Sequence, residues 1–359
     1  GMGESGEGQN ITHSQKKIAD ESLLEFRDRF RIPLDDEAVL ACEFYHPGDD
    51  SPEVRYLKER RDALGGSLPI RIDAAPTHAT PDLSLFQSQL EGSGDREIST
   101  TMAFVRLLTA LTRDKLLGPH VVPIVPDESR TFGMEGMFRQ LGIYAPKGQL
   151  YIPEDADQLM YYREDIKGQV LQEGITEAGA MSSWIAAATA YSNHGIAMIP
   201  FYIFYSMFGL QRIGDLAWAA GDQQARGFLI GGTAGRTTLA GEGLQHQDGH
   251  SLLMAAGIPN CVSYDPTFNY ELAVIVHDGI RRMYTDQENV FYYVTVMNEN
   301  YAHPPMPEGA QEGILQGMYR LRQAAKGRKA VPRVQLFGSG TILRESIAAA
   351  ELLEQDFGV

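Results

Sequence analysis

The stretch that decides the fold is IPFYIFYSMFGLQRIGDLAWAAGDQQARGFLIGGTAGRTTLAGEGLQHQDGHS, residues 199–251. It contains an apolar run that ends at Tyr205, an Ala-rich helical segment over 214–226 and a second apolar run, GFLIGG, over 227–232. Apolar runs of roughly four to eight residues that alternate with helices of about 10–15 residues are typical of a parallel sheet covered by helices. The stretch therefore predicts an α/β fold.

The same alternation continues on both sides of this stretch. Further helices are predicted for STTMAFVRLLTALTRDK (99–115, with Ser99 or Thr100 as N-cap), TEAGAMSSWIAAATAYS (176–192) and NYELAVIVHDGIRRMY (269–284). Further strands are predicted for VVPIVPD (121–127), VLQEGI (170–175), NVFYYVTV (289–296) and RVQLFGSG (333–340), the last followed by a helix. The predicted fold class is an α/β fold with a doubly wound parallel sheet.

Composition narrows the class of function. The 359 residues include 31 Lys and Arg against 47 Asp and Glu, a net charge of −16. A nucleic-acid-binding role is excluded, because phosphate contacts require clustered basic residues. The two cysteines form no metal-ligand spacing and fit a reducing cytoplasm, and the longest apolar stretch is too short for a membrane span. We expect a cytoplasmic protein.

Several side chains follow the predicted strands, where ligands bind in open parallel sheets. They are Asp127, Glu128, Glu177, Tyr205, Phe208, His246, Asp248 and His250. In the segment 235–251, His246, Asp248 and His250 alternate, so an extended chain would turn them to one side as zinc or iron ligands. The Gly-rich surroundings, and the lack of a further cluster of ligand residues, instead favour a loop whose polar side chains satisfy its own backbone. Spacing leaves both hypotheses open.

Two other residues have an ordinary structural explanation. Glu177 precedes an Ala-rich helix, and a partly buried acid at a helix N-terminus is stabilised by the helix dipole without any catalytic role. His13 lies in a Gly-rich N-terminal segment whose composition is typical of a mobile loop. Spacing alone assigns neither residue to chemistry.

Four long segments carry a resemblance to a known family: DESRTFGMEGMFRQLGIYAPKGQLY (127–151), VLQEGITEAGAMSSWIAAATAYS (170–192), the opening stretch 199–251, and MNENYAHPPMPEG (297–309). They resemble the homodimeric bacterial pyruvate dehydrogenases, the decarboxylating first component of the pyruvate dehydrogenase complex. The similarity runs through the whole chain, and family members are much longer. The chain is therefore expected to be a central fragment of such an enzyme.

The resemblance implies a thiamine diphosphate cofactor and assigns site residues. Glu177 matches the glutamate that bonds the pyrimidine ring nitrogen and drives the imino tautomer needed for deprotonation of the thiazolium carbon. Phe208 matches the aromatic that stacks on the pyrimidine. Asp127, Glu128 and Ile175 fall on the same wall, with Glu128 also counted among the catalytic residues.

The resemblance also implies a substrate side. Tyr205 and His246 match positions that hold pyruvate and stabilise developing charge. His13 matches a loop histidine that serves reductive acetylation of the lipoyl group of the acetyltransferase component. The loops 7–19 and 145–165 match mobile loops that order over bound cofactor.

The expected domain organisation follows the family. Residues 1–75 are expected to be the tail of the diphosphate-binding domain, 76–306 the pyrimidine-binding domain and 307–359 the start of a truncated C-terminal domain. The family binds Mg²⁺ through a G-D-G motif that does not occur here, so no metal ligand is assigned in this chain. The fragment alone is expected to be inactive. A non-catalytic α/β dimerisation or scaffold module derived from such an enzyme is the alternative.

Overall fold

A computed structural model describes residues 6–67, 76–126, 129–157, 162–236, 239, 242–323 and 332–359. The chain divides into two compact units, residues 1–70 and 71–359, which are described separately. Among the described residues, no helix has both the length and the apolar character that crossing a bilayer requires.

The first unit is helical. Its elements are a 3₁₀ turn at Asn10–Ser14 and helices Asp20–Phe30, Asp36–Leu40 and Pro52–Ala63. The Ser51 hydroxyl accepts a hydrogen bond from the backbone N–H of Val54 at 3.2 Å, and proline occupies the first position of that helix. This N-cap with proline is a common helix start.

The second unit is built on a six-stranded parallel sheet. Its strands are β1 (Val121–Val125), β2 (Leu171–Gln172), β3 (Ile199–Tyr205), β4 (Phe228–Gly232), β5 (Cys261–Tyr264) and β6 (Phe291–Thr295). Their order across the sheet is β2-β1-β3-β4-β6-β5, and every described pairing within it is parallel. The predicted fold class is confirmed.

The sheet is buried on both faces because successive residues of each strand point to opposite cores. In β3, Phe201 and Ile203 pack into one core cluster while Tyr202 and Phe204 pack into the other. In β6, Tyr292 and Tyr293 divide in the same way. A polar side chain on either face of the sheet would lose its hydrogen bonds to water, which explains why the strands appear in the sequence as nearly continuous apolar runs.

Helices cover both faces. Helices Glu177–Ala188, Gly209–Asp222 and Ser251–Ala256 contribute to one core cluster, and Thr100–Arg113 and Asn269–Ile280 contribute to the other. The Ser99 hydroxyl accepts a hydrogen bond from Met102 N–H at 3.1 Å, which confirms Ser99 as N-cap. The doubly wound arrangement predicted from the alternating runs is therefore present.

Smaller elements complete the unit. Glu97–Ile98 pairs antiparallel with Tyr301–Ala302, and Ile143–Tyr144 pairs parallel with Glu164–Asp165. The short helices are Gln87–Leu90, Phe138–Leu141, Ala190–Asn193, Ala310–Leu315 and Leu343–Leu352, with 3₁₀ turns at Leu83–Phe86, Gly118–His120, Glu135–Met137, Leu244–His246 and Gly340–Ile342 and π-helical turns at Arg281–Thr285 and Leu353–Phe357.

One predicted strand is absent from the structure, and one observed strand was not predicted. RVQLFGSG is predicted to be a strand, but residues 332–339 are irregular, and the Ser339 hydroxyl and the Gly340 N–H donate instead to Asp265. A strand forms only where a neighbouring strand offers free backbone groups. Conversely, the sequence does not predict β5, because its four residues are only half-buried at the sheet edge and lack an apolar signature.

Candidate active site

A pocket opens at the carboxyl ends of β1, β2 and β3. It has a volume of about 250 Å³ and is lined by Pro126, Ile175, Thr176, Glu177, Tyr202, Phe204, Tyr205, Phe208, Arg212, Gln245 and His246. Within the sheet, β1 lies between β2 and β3. The connection after β1 leads to its neighbour β2, towards one edge of the sheet, whereas the connection after β3 leads to β4, towards the other edge. Neighbouring loops therefore diverge at this point, which leaves a crevice for a ligand.

Glu177 is the first residue of helix Glu177–Ala188. Thr176 caps that helix by accepting a hydrogen bond from Gly179 N–H at 3.3 Å. The Glu177 side chain is 19% exposed and forms an ion pair with Arg212. The expectation of a partly buried acid at a helix start is confirmed, and the carboxylate lines the pocket.

Arg212 is a pocket residue that the sequence analysis does not find. Its guanidinium carbon lies 4.5 Å from the centroid of the Phe208 ring, and its Nη1 donates to Glu177 Oε1. Arg212 N–H also donates to the Phe208 carbonyl at 3.1 Å, one helical turn back. The signal that could have found it is the four-residue spacing from Phe208, which places both side chains on one helix face.

Three rings converge on the pocket. The centroid of the His246 ring lies 4.6 Å from that of Tyr205 and 5.1 Å from that of Phe208, each nearly edge to face. His246 is carried by the 3₁₀ turn Leu244–His246 after β4, whereas Tyr205 ends β3. The structure thus brings together the predicted Glu177, Tyr205, Phe208 and His246.

The Nδ1 atom of His246 is buried and has no hydrogen-bond partner among the described residues. A buried polar nitrogen without a partner costs free energy, and a ligand group that bonds to it recovers that cost. A residue that lines the pocket therefore carries a hydrogen-bonding atom that is unsatisfied among the described residues.

Tyr202 closes the inner wall of the pocket. Burial raises the pKa of its hydroxyl, and the negative charges of Glu177 and Glu173 add to this, against the opposite effect of Arg212. The hydroxyl therefore stays protonated and can serve only as a neutral hydrogen-bonding group. The sequence predicts this residue to be core strand, and the structure makes it both core and lining.

The remaining predicted residues are placed as follows. Ile175 lines the pocket and is 67% exposed. Asp127 and Glu128 lie outside the described residues. His13 is exposed in the 3₁₀ turn of the first unit, which is described separately. The structure therefore assigns no site to these last three.

The metal-site hypothesis for the segment 235–251 is not supported. The Asp248 carboxylate accepts hydrogen bonds from the N–H groups of His250 and Ser251 and from the Ser251 hydroxyl, at the start of helix Ser251–Ala256. A ring nitrogen of His250 bonds to the Gln211 amide at 2.6 Å. No group of three His, Cys, Asp or Glu that could hold a metal occurs within the described ranges. The loop-satisfying role is the one observed.

These bonds also set the charge of Asp248. Burial alone would raise the pKa of its carboxyl, but the hydrogen bonds from Ser251 and His250 outweigh burial and hold that pKa below its ordinary value. Asp248 is therefore ionised at neutral pH and stabilises the helix start.

The chain is similar to known proteins. Residues 79–304 match the family model described as the pyruvate dehydrogenase E1 component middle domain. The chain is 63% identical over 355 residues to the pyruvate dehydrogenase E1 component of Pseudomonas aeruginosa, and 55% identical over 361 residues to that of Escherichia coli K12. These matches cover 99% and 100% of this chain but only 40% of each relative.

Solved structures show the same fold at low identity. Transketolase from Leishmania mexicana matches with a TM-score of 0.57 and 16% identity, over 94% of this chain and 45% of its own. A Pichia stipitis transketolase in complex with sedoheptulose 7-phosphate matches with a TM-score of 0.57 and 14% identity, over 94% of this chain and 46% of its own. The α/β fold is therefore transketolase-like.

Proposed function

The chain belongs to the pyruvate dehydrogenase E1 component family of enzymes, and from this premise we propose that it forms the pyrimidine-binding side of a thiamine diphosphate site. The reaction proposed for the whole enzyme is decarboxylation of pyruvate with reductive acetylation of the lipoyl group of the acetyltransferase component. The chain spans 40% of the length of the curated relatives it matches, so the activity belongs to the longer protein.

The residues of the pocket suit the cofactor's pyrimidine ring. An acid, an aromatic ring and a buried nitrogen without a partner among the described residues meet in a cavity of about 250 Å³. Such a volume accommodates a ring system rather than a whole dinucleotide-sized ligand. The observation that carries the proposal is the convergence of Glu177, Phe208 and His246 on this one cavity.

Each proposed cofactor contact has a distinct physical basis. Glu177 bonds a ring nitrogen, and Phe208 supplies the flat apolar surface on which the ring stacks. Ile175 adds an apolar side chain to one wall of the pocket. Asp127 and Glu128, which lie outside the described residues, are proposed to belong to the same wall. When bound, thiamine diphosphate supplies the electron sink for loss of CO₂ from a 2-oxo acid.

Tyr205 and His246 are proposed to serve the substrate. Their rings are in contact, so a hydroxyl and an imidazole lie within one side of the pocket. Both groups can donate a hydrogen bond to a carboxylate or to an oxygen that gains charge. His13 is proposed as the proton donor in acetylation of the lipoyl group.

The wider assembly is also a proposal. We assign Mg²⁺ to ligands in another part of the longer protein, since no G-D-G motif occurs in this sequence. The enzyme is proposed to be a homodimer in the bacterial cytoplasm that works with the lipoyl-bearing acetyltransferase. The mobile character of loops 7–19 and 145–165 and the three-part domain organisation stand as predictions.

Exchange of the proposed acid tests the assignment. In a full-length enzyme carrying this sequence, we expect Glu177→Gln to lower pyruvate decarboxylation by about 10²–10⁴-fold, the usual contribution of acid–base catalysis. Glu173→Gln, which removes a neighbouring acid that does not line the pocket, is the control and should retain nearly full activity. Equal activity of the two variants would remove Glu177 from its proposed role.

A second experiment separates the enzyme proposal from a scaffold module. The 359-residue chain is titrated calorimetrically with thiamine diphosphate and Mg²⁺ and assayed for pyruvate turnover. We expect weak binding and no turnover, because the metal-binding motif is absent from the sequence. Micromolar binding would contradict this expectation, and a full-length enzyme without any cofactor binding would favour the scaffold.

A further inference from the structure

Phe132 packs against the ring of Tyr205. Its ring centroid is 5.2 Å from that of Tyr205, and its side chain is fully buried in the core cluster that contains β3 and β4 residues. Phe132 does not line the pocket. It reaches the pocket through Tyr205, whose ring in turn touches His246.

The backbone of β4 leaves room for this ring. Gly232 pairs with Tyr205 in the parallel register, and a Cβ atom at Gly232 would lie 2.6 Å from Cε1 of Phe132. Any larger residue would therefore push the Phe132 ring out of place. The glycine lets the ring lie against the end of β4, directly beside Tyr205.

The turn that carries Phe132 is also fixed. Gly133 has a φ of +68°, a conformation that favours glycine, and a Cβ there would lie 2.6 Å from the sulfur of Met102. Met134 N–H donates to the Ser129 carbonyl at 3.0 Å, which closes the turn. The ring is therefore held by backbone geometry as well as by packing.

We infer that Phe132, seated on Gly232, is a positioning residue that fixes the ring of Tyr205 and, through it, the imidazole of His246. This inference rests on the proposed function of Tyr205 and His246 toward pyruvate. A ring in a close-packed core holds its neighbour to a narrow range of angles. Removing it leaves space into which Tyr205 can rotate, and the edge contact with His246 is then lost.

The first test needs neither cofactor nor activity. Side-chain ¹H–¹⁵N spectra of histidine-labelled chain are compared for the parent, Phe132→Leu and Phe138→Leu, with the His246 signal assigned from His246→Gln. Phe138 is a matched control, since it is also buried in the same cluster but packs edge to face on Tyr162. We expect the His246 signal to shift in Phe132→Leu only.

The second test measures kinetics in a full-length enzyme carrying this sequence. Phe132→Leu is expected to lower kcat/KM for pyruvate by about tenfold to a hundredfold, the effect of misplacing a substrate-holding group by about 1 Å. The affinity for thiamine diphosphate should stay within about twofold, because Phe132 is on the substrate side. Phe138→Leu should leave both quantities within the same range.

A second variant, Gly232→Ala, covers the case in which Phe132→Leu folds poorly. Gly232→Ala keeps Phe132 but displaces its ring, so it should move the His246 signal and kcat/KM in the same way. When Gly232→Ala is combined with Phe132→Leu, the smaller side chain leaves space for the added methyl group. The double variant should therefore be less impaired than the two effects added together.

The outcomes separate this inference from the proposed function. Identical His246 signals in the parent, Phe132→Leu and Gly232→Ala would overturn the positioning role. A shifted His246 signal with unchanged pyruvate kinetics would also overturn it. A shifted signal in an otherwise intact full-length protein that neither binds thiamine diphosphate nor consumes pyruvate would support the packing relationship while rejecting the proposed function.

Discussion

Arg212 forms an ion pair with Glu177 in the wall of the pocket, joining the first turn of helix Gly209–Asp222 to the first turn of helix Glu177–Ala188. The Arg212 side chain is 49% exposed, so water screens the attraction and the pair adds little to stability. The ion pair instead orients the Glu177 carboxylate, because the Arg212 guanidinium contacts both this carboxylate and the face of the Phe208 ring.

Replacement of this cation should affect binding more than folding. We expect Arg212→Met to lower the free energy of unfolding by at most about 1 kcal/mol. In a full-length enzyme, thiamine diphosphate affinity should fall about tenfold, equivalent to ~1.4 kcal/mol, because Glu177 loses its fixed direction. Urea unfolding and calorimetric titration measure the two quantities.

Arg344→Met is the control for that change. Arg344 also pairs with an acid, Glu299, and lies over a ring, Tyr301, at 4.7 Å, but it does not line the pocket. The same loss of cofactor affinity in both variants would show that Arg212 acts only through general stability.

We expect His303 to make the free energy of unfolding depend on pH. It is buried, Nε2 bonds to the Ile98 carbonyl at 2.8 Å, and Nδ1 accepts from Asn269 N–H at 3.2 Å. Burial lowers the pKa of His303 below its ordinary 6.5, and Arg106 and Arg344 act in the same direction, against the bond to the Ile98 carbonyl. Both ring nitrogens are therefore matched to the neutral form.

The sign of the effect follows from this pKa. Because the unfolded chain takes up the proton at a higher pH than the folded chain, the free energy of unfolding should fall as pH drops below about 6.5. We expect His303→Asn to reduce this slope in thermal unfolding between about pH 7 and about pH 5. Some slope should remain, since burial also lowers the pKa of His120. An unchanged slope in His303→Asn, matching that of a His277→Asn control, would contradict the assignment.

Tyr319 holds residues after the central sheet to helix Asn269–Ile280. Its hydroxyl donates to the buried Glu271 carboxylate at 2.6 Å, whereas the Tyr264 hydroxyl donates to the Leu315 carbonyl at 2.7 Å. We expect Tyr319→Phe to cost about 1.5–3 kcal/mol of unfolding free energy, and Tyr264→Phe about 1 kcal/mol, because hydrogen bonds to charged groups are stronger. Chemical unfolding of both variants checks this, and the reverse ranking would refute it.

Gly168 lies against Ile143 and Tyr144, which form one strand of the small parallel sheet. A Cβ there would collide with the backbone carbon and oxygen of Ile143, whereas a Cβ at Gly136 would meet nothing within 4 Å. We expect Gly168→Ala to destabilise the chain by about 1–3 kcal/mol through overpacking and Gly136→Ala to change stability only slightly. Hydrogen exchange at the Ile143 and Tyr144 amides measures whether the destabilisation is local to this sheet. Equal protection of these amides in both variants would contradict the predicted clash.

Much of the sheet could be predicted from the sequence. Strands β3, β4 and β6 are buried on both faces, so their sequences are continuous apolar runs, which distinguish them from surface segments. β5 could not be predicted, because an edge strand buries little. The prediction for RVQLFGSG was wrong, because its apolar residues favour a strand but no neighbouring strand pairs with them in the described structure.

Half of the site could be predicted in the same way. Tyr205 is the last residue of β3 and Glu177 lies a few residues after β2, and these positions place both at the ligand-binding rim. Arg212 was missed, because a charged residue on an amphipathic helix is ordinarily solvated, although its four-residue spacing from Phe208 places both side chains on one helix face. Nothing in the sequence distinguishes Phe132 from any other aromatic residue of the core.

The sequence by itself determined the alternation of buried strands and covering helices, because burial selects residue types and hydrophobic spacing is local. It also carried the motifs that resemble the family. Only the tertiary structure decided which strands are neighbours and therefore which strand ends form the pocket. The order β2-β1-β3-β4-β6-β5 depends on packing between segments that are far apart in the chain. That packing brings Glu177 to Arg212 and Phe132 to Tyr205, and no local pattern records either contact.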